Sequence, residues 1–159
     1  MKTIPVQFTL NNKKLKVNVS PGLTLLEFIR MELGLTGVKD SCGGEGECGA
    51  CTVILDGEAV NSCLVLIGQV DGHAVTTIEG LSEHGELHPI QTAFITAGAV
   101  QCGFCTPGAV LSTKALLDKT PNPTDVEIRE ALSGNLCRCT GYVKMIEAVH
   151  LAARELIHA

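Results

Sequence analysis

The chain has 159 residues, enough for one compact domain or two small ones. Apolar residues make up 45% and aromatics only 3%, so any core must be built mainly from Val, Ile, Leu and Ala. A net charge of −5, with Lys and Arg scattered, leaves no basic surplus to neutralise the phosphates of a nucleic acid or to hold an anionic membrane.

The N-terminus, MKTIPVQFTLNNKK, shows no apolar h-region or cleavage site, so a cytoplasmic protein is expected. Residues 3–10 and 13–20 flank Asn11-Asn12, and Leu15, Val17 and Val19 alternate with polar residues, which predicts a hairpin with one buried face. Thr24 to Glu27 (TLLE) is a capping box, with Leu23 and Phe28 placed as a hydrophobic staple. It should open a helix from Leu25 to Leu33, with Gly34 as its C-cap. TVILDGEAV (residues 52–60) reads as two short strands about Asp56-Gly57, and residues 74–79 as a further strand.

Residues 81–89 are mostly polar and read as a linker. Beyond them the pattern is helical. Ile90 to Ala97 is one helix, and Thr106-Pro107 reads as an N-cap and first helical position of a second, running to Leu117. The box TDVE (Thr124 to Glu127) opens a third, to Leu132, and Tyr142 to Ile157 carries one apolar stripe. Ala93 to Leu111 is uncharged, but Gln101, Pro107 and three glycines interrupt it, so broken helices rather than a membrane span are expected.

Eight cysteines, without an export signal, point to metal rather than disulfides. Four fall in each half. Cys42, Cys48, Cys51 and Cys63 give C-x5-C-x2-C-x11-C, and Cys102, Cys105, Cys137 and Cys139 give C-x2-C-x31-C-x-C. The first set is near the plant-type [2Fe–2S] spacing. A tetrahedral four-cysteine zinc site is the serious rival, and spacing alone favours iron–sulfur only slightly. The first loop also contains G-x-G-x-x-G at Gly44, Gly46 and Gly49. A dinucleotide fingerprint should follow a strand and open a helix; here a helix precedes the loop and a strand follows. Its glycines are expected to let backbone N–H groups approach cluster sulfur instead. The five histidines (His73, His84, His88, His150 and His158) are scattered and read as structural or exposed. Glu45 and Glu47 read as solvated loop charges, and Tyr142 as a packing residue.

CGGEGECGACTVILDG, QCGFCTPG and GNLCRCTGY, in that order, resemble the iron–sulfur subunit of the molybdenum hydroxylase family, which includes xanthine dehydrogenase, aldehyde oxidoreductases, nicotinate and quinoline hydroxylases and 4-hydroxybenzoyl-CoA reductase. The resemblance spans nearly the whole chain. One departure is visible: the family usually has four residues between its first two cysteines, and here there are five, the extra one in Gly43-Gly44.

The resemblance implies an α+β chain: a ferredoxin-like β-grasp domain over residues 1–80, then a helical-bundle domain over residues 81–159. It implies one [2Fe–2S] cluster on Cys42, Cys48, Cys51 and Cys63 and a second on Cys102, Cys105, Cys137 and Cys139, with no catalytic residue on this chain. A large subunit would carry molybdopterin, with Gln101 near it, and a medium subunit FAD. Electrons would pass from molybdenum through the helical-domain cluster, then the ferredoxin-like one, towards FAD. The expected substrate is an N-heteroaromatic or a purine, with an aldehyde or an aromatic CoA thioester behind. Arg138, between two ligands, would either raise a cluster potential or pair with a carboxylate or a neighbouring subunit. A freestanding two-cluster carrier and a zinc-stabilised interaction module are the alternatives.

Overall fold

Residues 2–82 and 85–157 are described by the computed structural model. The first hairpin forms as the alternation predicts. β1 (Ile4–Leu10) runs antiparallel to β2 (Lys13–Val19), with Val6 opposite Val17 and Phe8 opposite Leu15. Asn11 and Asn12 take φ of 48° and 64°, the left-handed conformations a tight hairpin turn needs and asparagine tolerates.

The TLLE box also forms: the Glu27 carboxylate accepts the Thr24 N–H at 2.9 Å, and the Thr24 hydroxyl accepts the Glu27 N–H at 3.2 Å. The helix it opens differs from the predicted Leu25–Leu33 helix. α1 is a single α turn, Leu25–Glu27, continued by a π turn over Phe28–Glu32. There the Leu33 N–H reaches back five residues to the Phe28 carbonyl. Leu25, Leu26, Phe28 and Ile29 are all buried. That face is broader than the roughly 100° stripe of a surface α-helix.

β3 (Thr52–Leu55) and β4 (Glu58–Asn61) form the second hairpin, about Asp56 and Gly57. β5 (Ala74–Thr76) completes a mixed sheet of order β2-β1-β5-β3-β4, in which only the β1–β5 pair is parallel. The predicted strand 74–79 stops at Thr76 because Thr77 is taken by the first turn. Its N–H goes to Asn11 Oδ1 at 2.9 Å, and its hydroxyl accepts Asn11 Nδ2 at 3.0 Å. A 3₁₀ turn over Ile78–Gly80 follows.

Four helices make up the rest: α2 (Pro89–Thr96), α3 (Thr106–Lys119), α4 (Asp125–Leu132) and α5 (Val143–Ile157). Of the linker over residues 81–89, Glu83 and His84 lie outside the described residues, as does His158. α3 runs two residues past the predicted Leu117. Its N-cap is Cys105, so Thr106 is already helical, and its hydroxyl is buried without a partner among the described residues rather than capping. Tyr142 precedes α5 at φ 69° instead of opening it. The uncharged run over residues 93–111 is broken between α2 and α3, and among the described residues no helix is long and apolar enough to cross a membrane.

Two cores result. Phe8, Leu25, Phe28, Ile29 and Ile67 lie in the sheet core, with the Phe8 and Phe28 rings edge-on at 5.9 Å. Ile90, Phe94, Leu111, Ile128 and Met145 lie in the helical core. Ile54 of β3 belongs to the helical core, so the strand that ends the first cysteine loop packs on the helix that begins at the second.

Candidate iron–sulfur sites

The first loop, residues 42–51, leads into β3, and Cys63 stands on the 3₁₀ turn after β4. Cys48, Cys51 and Cys63 are buried and Cys42 is half-buried. The four thiols stand close enough to act on one another: Cys48 on Cys42, and Cys51 and Cys42 on Cys63. The Glu47 N–H aimed at the Cys42 sulfur is the largest influence on it. With the Cys48 thiol and the N–H groups of Cys48 and Glu45, it outweighs burial and brings the pKa down to about 7. Burial, and then the neighbouring Cys51 thiol, push Cys63 up to about 12.

The five-residue spacing is absorbed outwards. Gly43 and Gly44 take φ of 70° and 86°, and a Cβ on either would meet nothing within 4 Å. Asp40 Oδ1 accepts both their N–H groups, at 3.0 and 3.3 Å. The extra residue therefore bulges into open space while Cys42 keeps its bonds from the inner N–H groups.

The second site joins the C-G-F-C loop ahead of α3 to the segment between α4 and α5. Cys102 and Cys139 are exposed, with their sulfurs 3.6 Å apart. Cys105 and Cys137 are half-buried and close enough to act on each other. Burial, and then the neighbouring Cys137 thiol, push Cys105 up to about 12. Burial also works on Cys137, but the Thr140 hydroxyl at 3.0 Å and the N–H groups of Thr140 and Cys139 outweigh it and lower the thiol to about 7. Cys139 is raised, first by its bond to Cys102.

This arrangement fits a two-iron centre. Each iron of a [2Fe–2S] cluster takes two thiolates, whereas structural zinc draws four donors onto one ion. In each half the four thiols act on one another at close range, the Cys102 and Cys139 sulfurs lying 3.6 Å apart, a donor set that a two-iron centre would use. Backbone N–H groups aimed at sulfur supply the stabilisation that thiolate charge requires.

Other sequence candidates stand apart. Gln101 is exposed and has no hydrogen-bond partner among the described residues, which removes the reading of a polar residue satisfied inside the bundle. Arg138 is exposed, with no carboxylate partner among the described residues. Glu45 and Glu47 are exposed, as expected. His73 pairs with Asp56 at 2.5 Å, His150 with Asp125 at 2.7 Å, and His88 caps α2. Between the two sites lies a cleft of about 520 Å³ lined by Cys48, Phe104, Leu136, Cys137, Arg138 and Tyr142.

Three residues beside the cysteines do more than sequence reasoning assigned them. Thr140 holds the Cys137 sulfur. Tyr142 is no mere packing residue: its phenol oxygen accepts the Cys137 N–H at 2.8 Å. Asn135 is buried and reaches the first loop. The available signal was their crowding with two cysteines in GNLCRCTGY, where polar side chains need partners.

Comparison with known proteins agrees with this geometry. Residues 8–76 match the family described as a 2Fe-2S iron-sulfur cluster binding domain, and residues 77–150 match a [2Fe-2S] binding domain. The chain is 51% identical over 152 residues to the nicotinate dehydrogenase small FeS subunit of Eubacterium barkeri, covering 96% of each chain. It is 45% identical over 150 residues to the xanthine dehydrogenase iron-sulfur-binding subunit of Escherichia coli O157:H7, covering 93% of each chain. It superposes on the crystal structure of quinoline 2-oxidoreductase from Pseudomonas putida 86 with a TM-score of 0.94 at 38% identity, over 100% of this chain and 99% of that chain. With both halves matched to [2Fe-2S] domains, the zinc reading falls, and the chain belongs to the electron-transfer iron–sulfur subunits of the molybdenum hydroxylase family, with two [2Fe-2S] clusters.

Proposed function

We propose that Cys42, Cys48, Cys51 and Cys63 hold one cluster, within a β-grasp domain of residues 1–80. Cys102, Cys105, Cys137 and Cys139 hold the other, within a helical-bundle domain of residues 81–159. The observation that carries this is that the four thiols of each half act on one another at close range, with backbone N–H groups aimed at their sulfurs. Bound clusters supply one-electron redox chemistry; the chain supplies the sulfur ligands, the N–H groups that steady their charge, and the burial that tunes them.

The helical half faces a large molybdopterin-bearing subunit, with Gln101 towards that cofactor, and the sheet half faces a medium FAD-bearing subunit. Electrons enter at the helical half and leave by the sheet half. Exposure of Cys102, Cys139, Phe104 and Leu136 supports a covering partner over a freestanding carrier. The names of the nicotinate, xanthine and quinoline relatives support an N-heteroaromatic or purine substrate for the complex. The cytoplasm is the proposed compartment.

The test is iron and acid-labile sulfide content of the anaerobically purified full chain, with EPR after dithionite reduction. About four iron and about four sulfide per chain, with two distinct signals, are expected. Zinc without sulfide, and no signal, would overturn the assignment. Co-purification with the two larger subunits tests the partners, and a lone monomer under co-expression would remove them.

A further inference from the structure

The two cysteine loops are joined by a side chain that belongs to neither ligand set. Asn135 is 4% exposed. Its Nδ2 donates to the Gly49 carbonyl at 3.0 Å and to Thr52 Oγ1 at 3.3 Å. The Thr52 hydroxyl donates to the same carbonyl at 2.7 Å, so its oxygen is left to accept from Asn135. Next to it, the Leu136 N–H donates to the Cys48 carbonyl at 2.9 Å. Those bonds tie the backbone of Cys48 to the residues immediately before Cys137.

Packing at the joint leaves no slack. A Cβ on Gly49 would stand 2.2 Å from the Gly134 carbonyl oxygen, and one on Gly108 would stand 2.3 Å from the Gly49 carbonyl oxygen. The Gly49 peptide is thus held between the first turn of α3 and the segment that carries Asn135. Two acceptors facing one buried side chain call for a donor. A carboxylate of the same shape would place negative charge against both, and an aliphatic chain would leave them without this donor.

We infer that Asn135 is a positioning residue that locks the Cys48 loop onto the Cys137 loop and thereby sets the coupling between the two clusters. The inference rests on the ligand assignment proposed above. One electron crosses the joint with no bond made or broken and no proton moved, so its passage depends on the closeness of the two loops. Asn135 acts on that closeness alone.

The test uses the full chain carrying both clusters, unmodified and as Asn135→Asp and Asn135→Leu. Each variant keeps the side-chain size while removing the donor. Three readings are taken: iron and sulfide content, the spin–spin splitting between the two clusters in the fully reduced EPR spectrum, and hydrogen exchange at the Leu136 N–H. Both variants should keep iron and sulfide, lose the unmodified chain's splitting, and exchange the Leu136 N–H up to about tenfold faster. Wild-type splitting in an iron-replete variant, or none in the unmodified chain, overturns the inference. Should Asn135→Asp lose its clusters, Asn135→Leu, which adds no charge, decides between the same two outcomes. Absence of iron and sulfide from the unmodified chain would instead overturn the ligand assignment, and the inference with it.

Discussion

The two cysteine sites solve the same problem in opposite ways. In the sheet half, one short loop supplies three thiols and β4 delivers Cys63 beside them; three of the four are buried. In the helical half the thiols come from two segments separated by 31 residues, and Cys102 and Cys139 remain exposed. The first site is closed by its own chain. The second is an edge, with Phe104 and Leu136 exposed around it, which is what a site finished by a neighbouring subunit should look like.

The largest expected effect tests whether these are two sites or one. Cys51→Ser and Cys105→Ser should each lower iron from about four to about two per chain, with sulfide falling in step. EPR should then retain one signal in each variant, and a different one. A Cys51→Ser chain that loses all its iron would show that the helical site cannot form without the sheet site, and the contrast would fail.

The difference in exposure gives the next test. In the isolated chain, a chelator should strip iron from the helical half first, through Cys102 and Cys139, while the signal of the sheet half persists. Assembly with the proposed larger subunits should abolish that order. Simultaneous loss from both halves of the isolated chain would mean that exposure does not govern access.

Two glycines of the same loop sharpen the comparison further. Gly43 and Gly49 share a left-handed φ, 70° and 66°, but Gly43 faces open space and Gly49 faces the Gly134 carbonyl. Gly43→Ala should cost about 1 kcal/mol, the strain of the conformation alone. Gly49→Ala adds a clash with backbone and should cost about 3 kcal/mol or more, since overpacking adds roughly 1–3 kcal/mol. Denaturant unfolding of the cluster-loaded chain measures both. Equal costs would mean that the loops separate freely, against the tight joint at Gly49.

Much of this was legible in the sequence, for a physical reason: local rules were obeyed locally. The Asn11-Asn12 turn, both capping boxes and the Asp56-Gly57 hairpin depend on neighbours in the chain, and each formed where the pattern put it. What was illegible depends on contacts far along the chain. β5 stops early because Asn11, 66 residues away, takes Thr77. The helix after Thr24 turns π where four of its side chains are buried together. At the sites, the cysteines announced themselves by spacing, whereas Asn135 and Tyr142 did not, since their partners, the Gly49 carbonyl and the Cys137 N–H, are set only by the fold.

The smallest expected effect exploits a symmetry between the halves. Thr24 and Thr124 head identical boxes, one in each half, each with its hydroxyl bonded to a Glu N–H three residues on. Thr24→Ala and Thr124→Ala should each cost about 1 kcal/mol and leave iron content unchanged. In both boxes the threonine N–H, and then its hydroxyl, hold the glutamate below its ordinary value of 4.5. A lowered carboxyl stabilises the fold above its unfolded pKa, and that contribution is lost as pH falls through the folded one. Either alanine variant should therefore show a shallower loss of stability below about pH 4.5 than the unmodified chain. α4 leads directly into the segment that carries Asn135, Cys137 and Cys139, while α1 is not continuous with its cysteine loop and meets its site by packing on the turn that carries Cys63. If either variant releases iron on mild acidification, it should be Thr124→Ala, from the helical half; release from the sheet half in Thr24→Ala would show that the site closed by its own chain is the more dependent on its scaffold.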